Sequence, residues 1–394
     1  MFFRKKNYKN VLVVDIGSAS INCFMLSVKI EGKPEISATL RARMPLLENP
    51  DLAHIERYAK KTLKEISADM VKKNAGARPE AVFVVMSAPW YFCETRLVKV
   101  SRPEPFTVDR DLLDKLISDE LEIFSSKARE QFAGREGEIA VLDKEIMRSI
   151  VNGYTIKDPV GKTTKELEAA IYLSAGKKNF LDQVRDILGH FFGSVPVRTI
   201  SEPLAIFKIL SGMANSEEGF LVVDVGGEVT EVYLVRDGIL EVVKNFTWGG
   251  NLMVRRLASL LKVDLNEALS FFKTNSSKDL KENLEKKISP SLEGVCSEWQ
   301  NFLSQSLSDM GKNAPLPQTL ILLGGMAGNE VLKSCANAEE FSSFTVLGKP
   351  FNVLTFIPEN LEGRISLAGI DRKDPQMTLP LLLALNVSQY AGAK

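Results

Sequence analysis

The sequence is poor in the residues that build metal clusters and disulfide frameworks. It has four cysteines, Cys23, Cys93, Cys296 and Cys335, and two histidines, His54 and His190, in 394 residues. The cysteines lie far apart and form no CxxC pair, which argues against a zinc cluster and predicts reduced thiols in a cytosolic protein. Neither charge is in excess: Lys+Arg and Asp+Glu each total 50, so nothing favours nucleic acid or an anionic membrane as partner. No apolar run approaches the ~18–20 residues that cross a bilayer. The basic N-terminus has no apolar stretch of signal-peptide length behind it, because Asp15 and Gly17 interrupt the apolar residues from Val11. The expected location is the cytoplasm. Two common nucleotide motifs are also missing. No GxGxxG opens a helix, and Gly161-Lys162-Thr163-Thr164 lacks the upstream glycine of a Walker A loop.

What the sequence does contain is a duplication. Residues 11–26, VLVVDIGSASINCFML, align without a gap on residues 220–235, FLVVDVGGEVTEVYLV. Leu12/Leu221, Val13/Val222, Val14/Val223, Asp15/Asp224 and Gly17/Gly226 are identical. Each copy reads as a buried strand, an Asp-x-Gly turn of small residues and a second strand. Small residues at such a tip (Gly17, Ser18, Ala19 and Ser20 in the first copy, Gly226 and Gly227 in the second) let backbone N–H groups approach an anion. The acids cannot bind a phosphate, but Asp15 and Asp224 can hold Mg²⁺ or its waters. Two matched tips therefore predict a pincer on a metal-bound polyphosphate. A third element follows: the strand Leu320–Leu323 runs into Gly324-Gly325-Met326-Ala327-Gly328, with a helix expected from Asn329.

Hairpin, hairpin and strand-GGxA, in that order, resemble the phosphate-1, phosphate-2 and adenosine motifs of the superfamily of actin, chaperone and sugar-kinase ATPases. The resemblance implies an α/β, actin-like (ribonuclease H-like) duplicated two-lobe fold that closes around ATP and Mg²⁺. It makes Glu202, in Ser201-Glu202-Pro203-Leu204-Ala205, the candidate for the acid that orients the attacking water. The residues alone read Glu202 equally well as an acid at a helix start. Trp248-Gly249-Gly250-Asn251 resembles a family turn beside the nucleotide, and Thr230 is the hydroxyl left in the second loop. Within the superfamily the chain is most similar to FtsA of cell division and PilM of type IV pili. The stretch 82–174, with its NGY…DPVG…LE pattern, resembles their inserted 1C subdomain. The expected organisation is therefore lobe 1 (1A) from 1–81 and 175–215, the insert (1C) from 82–174, lobe 2 (2A) from 216–252 and 315–394, and a helix-rich subdomain (2B) over 253–314. In the insert, Trp90-Tyr91-Phe92 raises the expectation of exposed aromatics at a peptide-binding edge.

Several residues depart from the family pattern. Asn22 stands where relatives carry a lysine, Gly226-Gly227-Glu228-Val229 replaces GGGT, and Leu269 replaces a glutamate near the nucleoside. Nucleotide binding with slow turnover at most is the resulting expectation. The residues after the last expected helix, Asn386–Lys394, lack the amphipathic anchor of FtsA, so no direct membrane anchor is expected. A membrane role then requires a protein partner: an FtsZ-like tail or the cytoplasmic tail of an inner-membrane pilus protein, with self-assembly as a further option. Three functions remain open at this level: an ATP-dependent assembly scaffold, a nucleotide-free adaptor and a small-molecule kinase. The kinase lacks a separate general-base Asp motif.

Overall fold

The computed structural model describes residues 9–28, 33–74, 78–133, 137–213, 218–275 and 282–391. Gly392–Lys394, part of the expected anchorless tail, lie outside the described residues. The first sheet grows from β1 (Asn10–Ile16), β2 (Ser20–Ser27), β3 (Glu35–Arg43), β4 (Ala81–Met86) and β9 (Val197–Ser201), in the order β3-β2-β1-β4-β9. Strand β2 runs antiparallel to both β1 and β3, while β1, β4 and β9 are parallel to one another. The second sheet uses β10 (Phe220–Val225), β11 (Thr230–Arg236), β12 (Ile239–Phe246), β13 (Thr319–Leu323) and β14 (Asn352–Thr355), in the order β12-β11-β10-β13-β14. Its pairings repeat those of the first, strand for strand. The duplication read from two sixteen-residue segments thus extends to two whole sheets.

The central strands NVLVVDI, AVFVVM and FLVVDV are buried along almost their whole length. Continuous apolar runs of this kind suit strands covered on both faces. Helices α1 (Leu52–Lys73) and α3 (Lys178–Phe192) cover one face of the first sheet through Leu63, Ile66, Leu181 and Val184. Between the two sheets lie α4 (Glu202–Leu210) and α9 (Thr378–Ala391). A single core joins Val11, Val13 and Phe24 of the first sheet, Val222 and Tyr233 of the second, Leu204 and Ile206 of α4, and Leu381–Leu385 of α9. Apolar residues surround α9, as expected of a helix packed on every side.

The insert is a third sheet of β5 (Tyr91–Thr107), β6 (Ile139–Val151), β7 (Tyr154–Ile156) and β8 (Thr163–Lys177), in the order β5-β8-β6-β7, with α2 (Arg110–Ala133) on one face. Its boundaries differ from the expected 82–174. Val82–Met86 pair in parallel with β1 and β9, so β4 belongs to the first lobe, and β8 runs on to Lys177. The aromatic run is also packed where exposure was expected. Trp90 and Tyr91 are buried; Trp90 stacks on Phe180 at 4.4 Å and Phe92 on Phe124 at 5.5 Å. Alternation did send these side chains to opposite faces, but α2 covers one and the lobes cover the other. In the second lobe, α5 (Gly250–Leu261), α6 (Leu265–Asn275) and α7 (Glu282–Met310) precede β13, and α8 (Glu330–Ala336) follows it, capped by Asn329. Among the described residues, no helix is long and apolar enough to cross a membrane.

Candidate functional site

The hairpin registers fix the site. In the first copy Asp15 pairs with Asn22 across β1 and β2, and in the second Asp224 pairs with Glu231 across β10 and β11. Asn22 and Glu231 are thus equivalent positions with opposite consequences. Asn22 Nδ2 donates to Asp15 Oδ2 at 2.7 Å, and Ser87 Oγ donates to Oδ1 at 3.2 Å. A carboxylate at 231 offers Asp224 no donor, and Asp224 Oδ1 is buried without a hydrogen-bond partner. Burial, followed by repulsion from Glu231, pushes Asp224 up to about 7. Burial and the nearby Glu202 push Glu231 up to about 8. Asp15 is also raised by burial, against the opposing pull of its two hydrogen bonds and the Arg41 guanidinium.

Glu202 opens α4 and is fully buried. Tyr233 Oη donates to its Oε1 at 3.1 Å, whereas Oε2 has no partner. Desolvation first, then the charges of Asp224 and Asp15, hold its carboxyl far above the ordinary range. Glu202, Asp224 and Glu231 each present an oxygen within 4.8 Å of the others. Together the three acids could hold a cation.

The structure brings the two tips into direct contact. Glu228 N–H donates to Ser18 Oγ at 3.0 Å across the lobes. A Cβ on Gly227 would fall 2.1 Å from the Cβ of Ala19, so only glycine allows this approach. Around them, four further N–H groups serve protein acceptors. Gly17 donates to Ser20 O (3.1 Å), Gly226 to Val229 O (3.0 Å), Gly250 to Gly226 O (2.9 Å) and Asn251 to Gly227 O (2.8 Å). Glu228 turns away from the tips: Arg255 Nη2 and Asn251 Nδ2 both donate to it, at 2.6 and 2.7 Å. Arg255 Nε also reaches Leu47 O of the first lobe at 2.6 Å.

Gly324 follows β13 with φ +92°, and a Cβ there would lie 2.4 Å from Asp224 Oδ1. Gly325 lies near Arg41, whose Nη1 donates to Gln376 Oε1 at 2.7 Å. Thr230 departs from the expected role at a phosphate. Its hydroxyl faces the core, donating to Trp248 O at 2.6 Å and accepting from Trp299 Nε1 at 3.3 Å, because strand alternation at 230 points inward. Gly17, Ser18, Ala19, Ser20, Gly226, Gly227, Gly249, Gly250, Gly324, Asp15 and Asp224 otherwise gather around the interlobe seam.

Three contributors escaped the sequence. Glu231 was visible only by comparing position 22 with position 231. Tyr91 Oη donates to Glu231 Oε1 and Ala88 N–H to Oε2 (3.1 Å), tying the base of the insert to the second lobe. Asp143 of the insert accepts from Ser201 N–H (2.8 Å), Ser201 Oγ (2.6 Å) and Ser174 Oγ (2.7 Å), immediately before Glu202.

ATP and Mg²⁺ fare differently when tested against these residues. Asp224 Oδ1 and Glu202 Oε2 are orphaned oxygens of the kind Mg²⁺ takes. Between the tips as they stand, Ser18 and Ala19 lie against Gly227 and Glu228, and the Glu228 N–H already serves Ser18 Oγ.

No family model matches the chain. Over 132 residues it is 22% identical to the cell division protein FtsA of Neisseria meningitidis serogroup B (strain ATCC BAA-335 / MC58), covering 32% of this chain and 32% of that protein. The match thus spans about a third of the curated relative. Among solved structures it overlays the PilM-PilN type IV pilus biogenesis complex with a TM-score of 0.63 and 18% identity, over 98% of this chain and 99% of that one. The ethanolamine utilization protein EutJ from Carboxydothermus hydrogenoformans gives a TM-score of 0.46 and 16% identity, over 96% and 89% of the two chains. The fold is that of the actin-like ATPases, in two lobes.

Proposed function

We propose that this chain is an actin-fold scaffold whose lobes are joined by protein contacts rather than by a shared nucleotide. The contact between the hairpin tips carries this reading. The Glu228–Ser18 bond and the Gly227–Ala19 approach occupy the position where the family resemblance puts the phosphates. Arg255, Tyr91 and Ala88 add bonds from one side of the seam to the other. A body fixed in this way presents a constant surface to partners.

The likenesses to FtsA and to a PilM-PilN complex support a protein partner at a membrane machine of the division or pilus type. Its candidates are an FtsZ-like tail or the cytoplasmic tail of an inner-membrane pilus protein, with self-assembly as a second mode. Membrane association then comes through that partner.

A second reading is favoured by the orphaned Asp224 Oδ1 and Glu202 Oε2. In it, the lobes part, Mg²⁺ takes those oxygens and ATP enters the opened seam. Thermal denaturation with and without millimolar Mg-ATP separates the two. A ligand at 100 times its Kd stabilises by about 2.7 kcal/mol. The scaffold reading expects no saturable shift, together with partner binding or oligomers that ignore nucleotide. A saturable, Mg²⁺-dependent shift overturns it in favour of the second reading. The kinase reading has no support from the site, since Asp15, Asp224 and Glu202 are all buried.

A further inference from the structure

Cys296 and Cys335 are 39 positions apart in sequence, and folding brings them together. Cys296 sits on α7 within the core of the second lobe and is 2% exposed; Cys335 sits at the end of α8 and is partly exposed. Cys335 packs against the same core cluster that holds Cys296, near enough for the two thiols to perturb each other. A separate contact fixes the same apposition. Gln300 lies one turn beyond Cys296 on the same face of α7, and its Nε2 donates to the carbonyl oxygen of Cys335 at 3.1 Å. The other two thiols have no such arrangement: Cys23 is buried in the first lobe and Cys93 lies in the insert.

We propose that Cys296 and Cys335 are a dithiol modification site, oxidised reversibly to an intramolecular disulfide by a peroxide. The neighbouring thiol and burial together hold Cys296 above the ordinary thiol value. Cys335 is the attacking group, because it is partly exposed and within reach of a peroxide while Cys296 is buried. Its sulfur attacks one peroxide oxygen, the O–O bond breaks, and a sulfenic acid and one water result. The Cys296 sulfur then attacks the sulfenic sulfur, the S–O bond breaks, and a second water leaves with the remaining proton. Two thiols are oxidised by two electrons, and one peroxide is reduced to two waters.

The bond would staple α7 to α8. Helix α8 follows the Gly324–Gly328 turn that abuts Asp224, and α7 carries Trp299, which donates to Thr230. Oxidation would thus fix the second lobe's small helices against the hairpin tip.

The test treats the full chain with hydrogen peroxide, blocks remaining thiols under denaturing conditions and maps the peptides by mass. The expected result is a fall of two in the four titratable thiols, a single Cys296–Cys335 cross-link, and its reversal by dithiothreitol. Cys335→Ser should abolish the cross-link, and Cys296→Ala should leave Cys335 as a sulfenic acid trapped by dimedone. Four thiols remaining at a dose that oxidises a free-thiol peptide, cross-links between chains, or pairing through Cys23 or Cys93 would overturn the proposal. The native protein carries the decisive reading, so misfolding of a variant does not rescue it.

Discussion

Replacing Glu231 with glutamine tests the acid cluster directly. In the folded protein Glu231 is pushed from the ordinary 4.5 up to about 8, while in the unfolded chain it titrates normally. Between those values the unfolded chain has released its proton and the folded one still holds it. Stability is therefore complete below about pH 4.5 and is lost as pH rises through 8. At about 1.4 kcal/mol per unit, the loss approaches ~5 kcal/mol as an upper bound, because the charges of neighbouring Asp224 and Glu202 share the effect. Asp224, raised to about 7, adds loss in the same direction. Glu231→Gln removes the titrating group and restores the amide that Asn22 supplies to Asp15 in the first copy. The variant gives up one of the two oxygens that accept from Tyr91 Oη and Ala88 N–H, so it should fall ~1–2 kcal/mol below the parent near pH 5 and exceed it by ~1–3 kcal/mol near pH 9. Guanidinium unfolding followed by tryptophan fluorescence at several pH values gives both curves. Parallel decline of variant and parent, or a parent whose stability does not fall from pH 5 to 9, would refute the reasoning.

Gly227→Ala should cost ~1–3 kcal/mol through overpacking against Ala19; a guanidinium midpoint within error of the parent would show that the tips do not touch. Arg255→Ala removes donors to Glu228 and to Leu47 O and should cost ~2–3 kcal/mol. The same variant should enlarge the radius of gyration in small-angle scattering, because a link between the lobes is gone. Trp299→Phe should cost ~1–2 kcal/mol by leaving Thr230 without its indole donor. Equal stability to the parent in denaturant would speak against that buried bond.

The architecture was legible wherever it rested on repeated local pattern. Matching runs at 11–26 and 220–235 gave both hairpins, and their registers put Asp15 and Asp224 at equivalent points. What stayed hidden depended on pairings between distant segments. Val82–Met86 look like any apolar strand, and only their parallel partners assign them to the first sheet. Thr230 lies beside the tip in sequence, yet the strand's alternation turns its hydroxyl inward. Glu228 lies in the tip by sequence, and Arg255, 27 residues on, draws its carboxylate aside. The cysteine spacing holds no CxxC pair and says nothing of two helices packing side by side.

Helix α9 has a consequence for how the chain is made. Val11, Val13, Phe24 and Leu26 pack into the same core as Leu381, Leu382 and Leu383. A ribosome adding about 5–20 residues per second exposes the first sheet's oily surface long before it delivers the helix that covers it. The nascent chain must spend on the order of tens of seconds in the care of a chaperone or in a loosely collapsed form. Prematurely terminated products lacking α9 should therefore aggregate through their earliest strands, though the missing helix is far from them in sequence.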